Sequence, residues 1–215
     1  MPENIYVLTV LALIIGYAFG CFSTAYVVGK ANHIDIRSYG SGNAGTTNAM
    51  RTLGKKAGII TYVGDVLKAV IPILLVRFWI LQGNPNLDFI CLVIGLGVVL
   101  GHNYPVWLHF KGGKGIAVTS GVFISVVPQI AVFALILFVL IALISKYISL
   151  ASICAILFAG TWMIIYYDFS LPHVIVILFY ILLALWQHRA NIVRLVQGKE
   201  NKIGQHKPPL VERTK

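Results

Sequence analysis

Long apolar runs separated by short polar stretches make up most of the chain. The first run, at residues 5–29, has no charged residue, and a membrane-crossing helix needs only about 20 residues. Comparable runs lie at about 57–81, 89–106, 116–145, 150–167 and 173–187. This pattern predicts a bundle of membrane-spanning helices joined by polar turns.

The run at 116–145 is ambiguous, because Pro128 interrupts it. One tilted helix would cover about 25 residues at most, whereas a short helix before Pro128 and a full one after it account for the whole run. With two helices the chain crosses seven times, and the basic loops around Arg51, Lys114 and Lys146 share one side with the basic tail after His188. The positive-inside rule favours this arrangement over six crossings.

The sequence therefore predicts an all-α, polytopic integral membrane protein with seven transmembrane helices, one of them short. The N-terminus is expected outside and the C-terminus in the cytoplasm. A single membrane-embedded domain is expected at residues 1–202, followed by a basic, mobile tail at 203–215.

Composition excludes an ordinary soluble domain. Hydrophobic residues make up 58% of the chain and charged residues 11%, against about 25% charged in soluble domains. The net charge of +10 would suit a nucleic-acid binder, but the cations cluster at the ends of apolar runs, where they act as topology signals. We therefore expect the lipid bilayer, and no nucleic acid, as a partner. The chain has no CxxC pair, which argues against a disulfide framework or a zinc site. No metal site and no cofactor are expected.

The stretch KGGKG at 111–115 is the first candidate for chemistry. Glycines let successive backbone N–H groups approach one anion, and the two lysines add compact positive charge. The stretch lacks the pattern of a Walker loop. We expect it to bind a phosphate group at the membrane edge, whereas His102, in the turn before it, is interpreted as a packed or capping residue.

A second polar stretch, GSGNAGTTNAMR at 40–51, contains a G-x-G-x-x-G pattern. A dinucleotide fold is rejected, because that fingerprint needs a preceding strand and this stretch follows a membrane helix. Backbone N–H groups with Ser41, Thr47 and Asn48 would suit an oxyanion, and Arg51 would clamp a phosphate.

Two further sets of residues have structural alternatives. His188 and Asn191 can share one face of a helix, in a segment whose basic residues would also suit lipid headgroups. Asp65 and Lys68 lie three residues apart inside a predicted span, where intramembrane charges indicate either function or a mutual ion pair.

Taken in order, four segments resemble those of the bacterial membrane acyl-phosphate:glycerol-3-phosphate acyltransferases. The segments are 40–48 (GSGNAGTTN), 111–115 (KGGKG), 149–152 (SLAS) and 188–192 (HRANI), within a resemblance that extends to about residue 202. Ala190 stands where the family often has an acidic residue.

The resemblance implies transfer of a fatty acyl group from acyl phosphate to the 1-hydroxyl of glycerol 3-phosphate, giving lysophosphatidic acid and phosphate, with the site on the cytoplasmic side of the bacterial cell membrane. It implies that glycerol 3-phosphate is held by Arg51, Lys114, Ser152, His188 and Asn191, the first four being catalytic. It implies that acyl phosphate is held by Ser41, Gly42, Thr47, Asn48, Gly112 and Gly113. Whether the soluble enzyme that makes acyl phosphate docks on the basic face is left open.

The proton acceptor is also left open. The chain contains no H-x-x-x-x-D pair, and the carboxylates Asp35, Glu200 and Glu212 have no obvious place in the site. The candidates are His188 as general base and the phosphate of the donor itself. A transporter for a phosphorylated solute is the alternative function, although the halves show no inverted repeat and the polar groups gather at one face. A structural protein with lipid-binding loops is the third interpretation.

Overall fold

The computed structural model describes residues 4–204, and the regular elements in that part of the chain are all helical. Nine α-helices follow one another there, with a helical turn at Ile36–Ser38, a π-helical turn at Val76–Ile80 and a second short turn at Val106–Leu108. The helices are α1 (Ile5–Gly20), α2 (Thr24–Ala31), α3 (Thr46–Leu53), α4 (Lys55–Leu75), α5 (Leu87–Asn103), α6 (Ile116–Val126), α7 (Pro128–Ser145), α8 (Ile148–Tyr166) and α9 (Leu171–Val196).

Apart from α5, the membrane-length helices bury little of their apolar surface against one another, which suits a lipid environment. Six helical stretches are long and apolar enough to cross a membrane, and α6 is a shorter apolar helix. Large apolar side chains on α7 and α9 face outward, including Phe133, Leu182 and Ile144. The all-α expectation is thus confirmed for the described residues, and the number of crossings and their orientation stay predictions.

Helix α5 lies at the centre of the bundle, with most of its side chains buried. Glycines let it approach α1 closely: a Cβ on Gly20 would lie 2.1 Å from the carbonyl oxygen of Val98, and one on Gly101 would lie 2.2 Å from that of Tyr17. Small residues at helix contacts are the usual means of close packing in membranes. This packing fixes the end of α5, from which the lysine-glycine stretch begins.

The break at Pro128 is confirmed. Helix α6 ends at Val126 and α7 begins at Pro128, which occupies the first helical position, where its missing N–H costs nothing. The predicted run at 116–145 is therefore two helices rather than one tilted helix.

The first predicted span, at residues 5–29, corresponds to the candidate membrane span Ile5–Ala31, but the helix breaks within it: α1 ends at Gly20 and α2 begins at Thr24. The carbonyl groups freed at this break have partners: Trp107 Nε1 donates to Cys21 at 3.0 Å, and Lys68 Nζ donates to Phe22 at 2.7 Å. Tertiary hydrogen bonds thus replace the helical ones, which hydropathy alone does not indicate.

The end of the chain also differs from the prediction. Helix α9 continues without interruption to Val196, so the seventh predicted span and the basic segment at 188–196 are one helix. Residues beyond it turn back, and the N–H of Ile203 donates to the carbonyl of Lys146 at 2.8 Å. Of the tail expected at 203–215, residues 205–215 lie outside the described residues.

Candidate active site

One cavity of about 880 Å³ collects the predicted site residues. Its wall is built by the stretch at 40–51, the starts of α6 and α8, and the end of α9. The predicted residues that line it are Ser41, Gly42, Thr47, Asn48, Arg51, Lys114, Ser152, His188 and Asn191. Segments far apart in the sequence thus meet in one place.

A charged hydrogen-bond network holds Lys114 at the centre of the polar wall. Lys114 Nζ donates to Asn191 Oδ1, and Asn191 Nδ2 donates to Glu200 Oε1 at 2.7 Å. Ser149 Oγ donates to the same carboxylate oxygen at 3.1 Å, and Arg194 Nε donates to Glu200 Oε2 at 2.7 Å. The network orients the amide oxygen of Asn191 toward the lysine and joins α8, α9 and the returning chain.

Glu200 is one cavity-lining residue that the sequence analysis did not select. It is only 9% exposed and lines the cavity, although the sequence analysis gave it no place in the site. Burial alone would raise the pKa of Glu200, but hydrogen bonds from Asn191, Arg194 and Ser149 hold it below its ordinary value. The sequence signal that could have indicated this fold-back is Gly198, because glycine readily adopts a positive φ. In the structure its φ of +66° turns the chain back after α9.

Lys114 lies in a strongly cationic environment. Burial and the positive charges of Arg194 and Arg51 together lower the pKa of Lys114 to about 8, against the opposing effect of the Glu200 carboxylate. A phosphate placed in this cavity would relieve the repulsion among these three cations. Arg51 has no hydrogen bond or ion pair with another described residue, so its guanidinium group is available to a ligand.

The tautomer of His188 follows from its one hydrogen bond. Nδ1 lies 2.8 Å from the carbonyl oxygen of Ala184, which can only accept, so Nδ1 carries the proton. Nε2 of the neutral ring therefore has a free lone pair at the cavity wall. Ser152 lies on the same wall and donates its hydroxyl proton to the carbonyl of Ile148 at 2.8 Å.

Asn48 shapes the 40–51 stretch through its side chain, which is 1% exposed. Its amide nitrogen donates to the carbonyls of Ile36 and Tyr39, both at 3.0 Å, and its oxygen accepts from the N–H of Ser41 at 2.8 Å. Its hydrogen bonds are thus used within the protein, and it positions the loop that lines the cavity.

Thr46 is a second residue that the sequence analysis did not select. It begins α3, lines the cavity, and its buried hydroxyl has no hydrogen-bond partner among the described residues. The starts of α3, α6 and α8 all lie at this wall, so three helix dipoles present their positive ends to it. Unpaired N–H groups at helix starts are a common anion site.

Gly112 and Gly113 are not among the described residues that line the cavity. Their N–H groups already donate to the carbonyls of Asn103 (3.1 Å) and His102 (3.0 Å). A Cβ on Gly113 would lie 2.1 Å from His102 Nε2. These glycines allow the chain to pack tightly on the end of α5, and the backbone amides they were expected to offer to a phosphate are occupied.

The opposite part of the cavity is apolar. Small, branched aliphatic and aromatic side chains from three helices form it. They are Phe123 on α6, Ala131, Ala134, Leu135 and Phe138 on α7, and Ala155, Ile156 and Ala159 on α8. A cationic wall therefore adjoins a chamber that suits a hydrocarbon chain.

A family model described as glycerol-3-phosphate acyltransferase matches residues 10–198. The chain belongs to the glycerol-3-phosphate acyltransferase family. The glycerol-3-phosphate acyltransferase of Prochlorococcus marinus (strain NATL1A) is 42% identical over 202 residues, which cover 92% of this chain and 100% of that protein. That of Thermoanaerobacter sp. (strain X514) is 44% identical over 199 residues, covering 91% and 96%.

Two crystal structures share the fold of this acyltransferase. Both are of PlsY (YgiH), described as an integral membrane glycerol 3-phosphate acyltransferase. Its glycerol 3-phosphate form has a TM-score of 0.81 and 35% identity, covering 91% of this chain and 96% of that one. Its lysophosphatidic acid form has a TM-score of 0.79 and 34% identity, covering 91% and 95%. The chain is thus a multi-pass membrane acyltransferase.

Replacing Glu200 in this acyltransferase tests the network around Lys114. Glu200→Ala leaves the hydrogen-bond donors of Asn191, Ser149 and Arg194 without their acceptor, so we expect the free energy of unfolding to fall by about 1–3 kcal/mol. The measurement is thermal unfolding in detergent. Lys199→Ala, an exposed neighbour, is the matched control and should leave the melting temperature unchanged. Equal melting temperatures for Glu200→Ala and the wild type would contradict the structural role.

Proposed function

We propose that the chain transfers a fatty acyl group from acyl phosphate to the 1-hydroxyl of glycerol 3-phosphate, giving lysophosphatidic acid and phosphate, the first acylation step of phospholipid synthesis. The observation that carries this proposal is one cavity in which a wall with Arg51, Lys114 and three helix starts adjoins an apolar chamber. Two phosphate-bearing reactants, one with a hydrocarbon chain, need that combination. The ligands named for the two PlsY crystal forms support the acceptor and the product.

Glycerol 3-phosphate is proposed to bind beside α8 and α9. Arg51 and Lys114 pair with its phosphate, and the oriented amide of Asn191 keeps the lysine in place. His188 Nε2, as a hydrogen-bond acceptor, faces the same space and suits a hydroxyl group of the glycerol. Ser152 completes this side of the pocket.

Acyl phosphate is proposed to bind where α3 starts. Ser41, Gly42 and Thr47 line this wall, and the unpartnered hydroxyl of Thr46 adds a donor. The helix start offers its first N–H groups to the phosphoryl oxygens. The acyl chain would then extend into the apolar chamber between α7 and α8. A phosphate site of this kind supports acyl phosphate as the donor over a thioester.

In the reaction, the 1-hydroxyl oxygen attacks the acyl carbon, the bond between that carbon and the phosphate oxygen breaks, and phosphate leaves. The hydroxyl proton passes either to His188 Nε2 or to the departing phosphate. Bringing two anions together is the main obstacle, which Arg51, Lys114 and the helix dipoles offset. Alignment of the reactants would lower the barrier by about 7–11 kcal/mol.

We place this site at the cytoplasmic face of the bacterial inner membrane. Basic residues of the loops and of the end of α9 gather around the cavity, whereas Asp88 at the start of α5 and Asp168 in the turn after α8 lie at the other end. In this orientation, the soluble enzyme that makes acyl phosphate would dock on the same cytoplasmic face, where the basic residues gather.

A donor assay tests the proposed reaction. Purified protein in detergent is incubated with labelled glycerol 3-phosphate and either acyl phosphate or acyl-CoA. We expect label in lysophosphatidic acid with acyl phosphate alone, without any vesicle, which a transporter would need. Lys114→Ala should lose nearly all transfer, whereas Lys199→Ala should keep it. Equal transfer from acyl-CoA would overturn the assigned donor, and absence of transfer from both donors would overturn the reaction.

The pKa of Lys114 predicts a pH dependence. Its charged form pairs with phosphate and its pKa is lowered to about 8, so the cation is lost as pH rises through 8. We expect kcat/KM for glycerol 3-phosphate to fall about tenfold per pH unit above that value. Lys114→Arg keeps its charge to about pH 12, so its profile should stay flat. We expect a lower maximum, because the planar guanidinium group differs in shape from the lysine ammonium. An identical alkaline limb in both enzymes would contradict this role.

His188→Gln distinguishes the two proton acceptors. Glutamine preserves a polar side chain but takes up no proton, so we expect kcat to fall by about 10²–10⁴-fold while KM changes little. Single-turnover rates with acyl phosphate provide the measurement. Near-normal turnover would instead assign the proton to the departing phosphate.

A further inference from the structure

A buried polar cluster between α4 and α5 has no part in the proposed reaction so far. It consists of Asp65, Lys68 and His102, whose exposed fractions are 1%, 6% and 4%. Lys68 Nζ lies 3.0 Å from Asp65 Oδ1, which confirms the ion pair as the structural alternative given for these residues. Two of the three, Asp65 and His102, also line the cavity.

The ammonium group of Lys68 determines the tautomer of His102. Its three protons have three acceptors: the carbonyl of Phe22 at 2.7 Å, Asp65 Oδ1 at 3.0 Å and His102 Nδ1 at 2.8 Å. An Nδ1–H would point at the cation, and Asp65 Oδ1, 3.6 Å away, is too far to accept it. Nδ1 is therefore the acceptor, and Nε2 carries the proton of the neutral ring.

His102 Nε2 lies beside Gly113, where a Cβ on that glycine would meet it at 2.1 Å. The carbonyl of Ala44, in the 40–51 stretch, borders the same spot. No described residue accepts a hydrogen bond from Nε2. The side chain of His102 is only 4% exposed and lines the cavity, so a ring N–H without a protein partner there indicates a ligand, since leaving such a group unpaired is costly.

The surroundings of His102 favour the phosphate of the acyl donor over that of glycerol 3-phosphate. Its neighbours belong to the 40–51 stretch and to Gly113, whereas the proposed acceptor site is formed by Lys114, His188 and Asn191. The charges of Asp65 and Lys68 offset each other, and Thr24 Oγ1 also donates to Asp65 Oδ1 at 3.2 Å. The cluster thus offers a neutral N–H donor rather than a net negative charge.

We propose that His102 Nε2–H donates a hydrogen bond to a phosphoryl oxygen of acyl phosphate, and that Asp65 and Lys68 are positioning residues that fix the tautomer needed for it. This rests on acyl phosphate being the donor. Position 113 is then a glycine because the imidazole of His102 packs directly against its Cα. His102 supplies the phosphate contact that the sequence analysis expected from the amide of this glycine.

Asparagine and glutamine variants of His102 separate its role as a hydrogen-bond donor from a role in packing. His102→Asn keeps an acceptor for Lys68 near the position of Nδ1 but has no group near Nε2, so we expect KM for acyl phosphate and the inhibition constant of inorganic phosphate to rise about tenfold. KM for glycerol 3-phosphate should stay within about twofold. His102→Gln reaches the position of Nε2 and should recover most of the loss. His33→Asn, at an exposed histidine, is the matched control.

Nitrogen-15 spectra of histidine-labelled protein test the tautomer without relying on activity. We expect the His102 signal, assigned with His102→Asn, to show protonated Nε2 and bare Nδ1, and the Nε2 resonance to shift when inorganic phosphate is added. Lys68→Met should remove the preference for this tautomer.

The outcomes distinguish this proposal from the proposed reaction. Four results would overturn the role of His102. In the variants, these are an equal rise in KM for both substrates, or a lower melting temperature as the only change. In the spectra, they are a protonated Nδ1, or an Nε2 resonance that does not shift when phosphate is added. Failure of wild-type protein to use acyl phosphate would instead overturn the reaction, while the phosphate-dependent shift would still report an anion site.

Discussion

The site depends on one physical requirement, which is to hold anionic phosphate groups directly beside lipid. A phosphate leaves water only where cations and N–H donors replace its hydration, and the bundle concentrates these groups at one cavity. Three helix starts, Arg51 and Lys114 form the cationic wall, and the apolar chamber begins directly beside it. The proposed reaction uses this boundary, because its donor has a phosphate at one end and a hydrocarbon chain at the other.

Carboxylates keep the cations in place. Glu200 binds Arg194 and orients Asn191 against Lys114, and Asp65 holds Lys68 against His102. Each acid is buried, so its ion pair is stronger than it would be in water. Glu200 offsets the charge of Arg194 and leaves Lys114 for a ligand. Asp65 offsets the charge of Lys68 and leaves the N–H of His102. Balance of this kind suits the proposed phosphate-binding pocket, because the cations of both clusters are accompanied by a compensating carboxylate.

The two buried histidines of the site have opposite tautomers for a local reason. The carbonyl of Ala184 requires a proton on His188 Nδ1, and the ammonium of Lys68 requires a lone pair on His102 Nδ1. One ring therefore presents an acceptor to the cavity and the other a donor. In the proposed reaction the first suits the hydroxyl of glycerol 3-phosphate and the second suits a phosphoryl oxygen.

Local sequence patterns were sufficient to predict the helices, the break at Pro128 and most residues of the cavity wall. The reason is that hydrophobic runs, proline and clustered glycine determine structure within a few residues. The break at Cys21–Ser23 depended on Trp107 and Lys68, which take the released carbonyls from distant segments. Likewise, the place of Glu200, the occupied amides of Gly112 and Gly113, and the tautomer of His102 were decided by tertiary contacts. A hydrogen bond is satisfied by whatever group the fold brings within about 3 Å, and sequence spacing does not contain that distance.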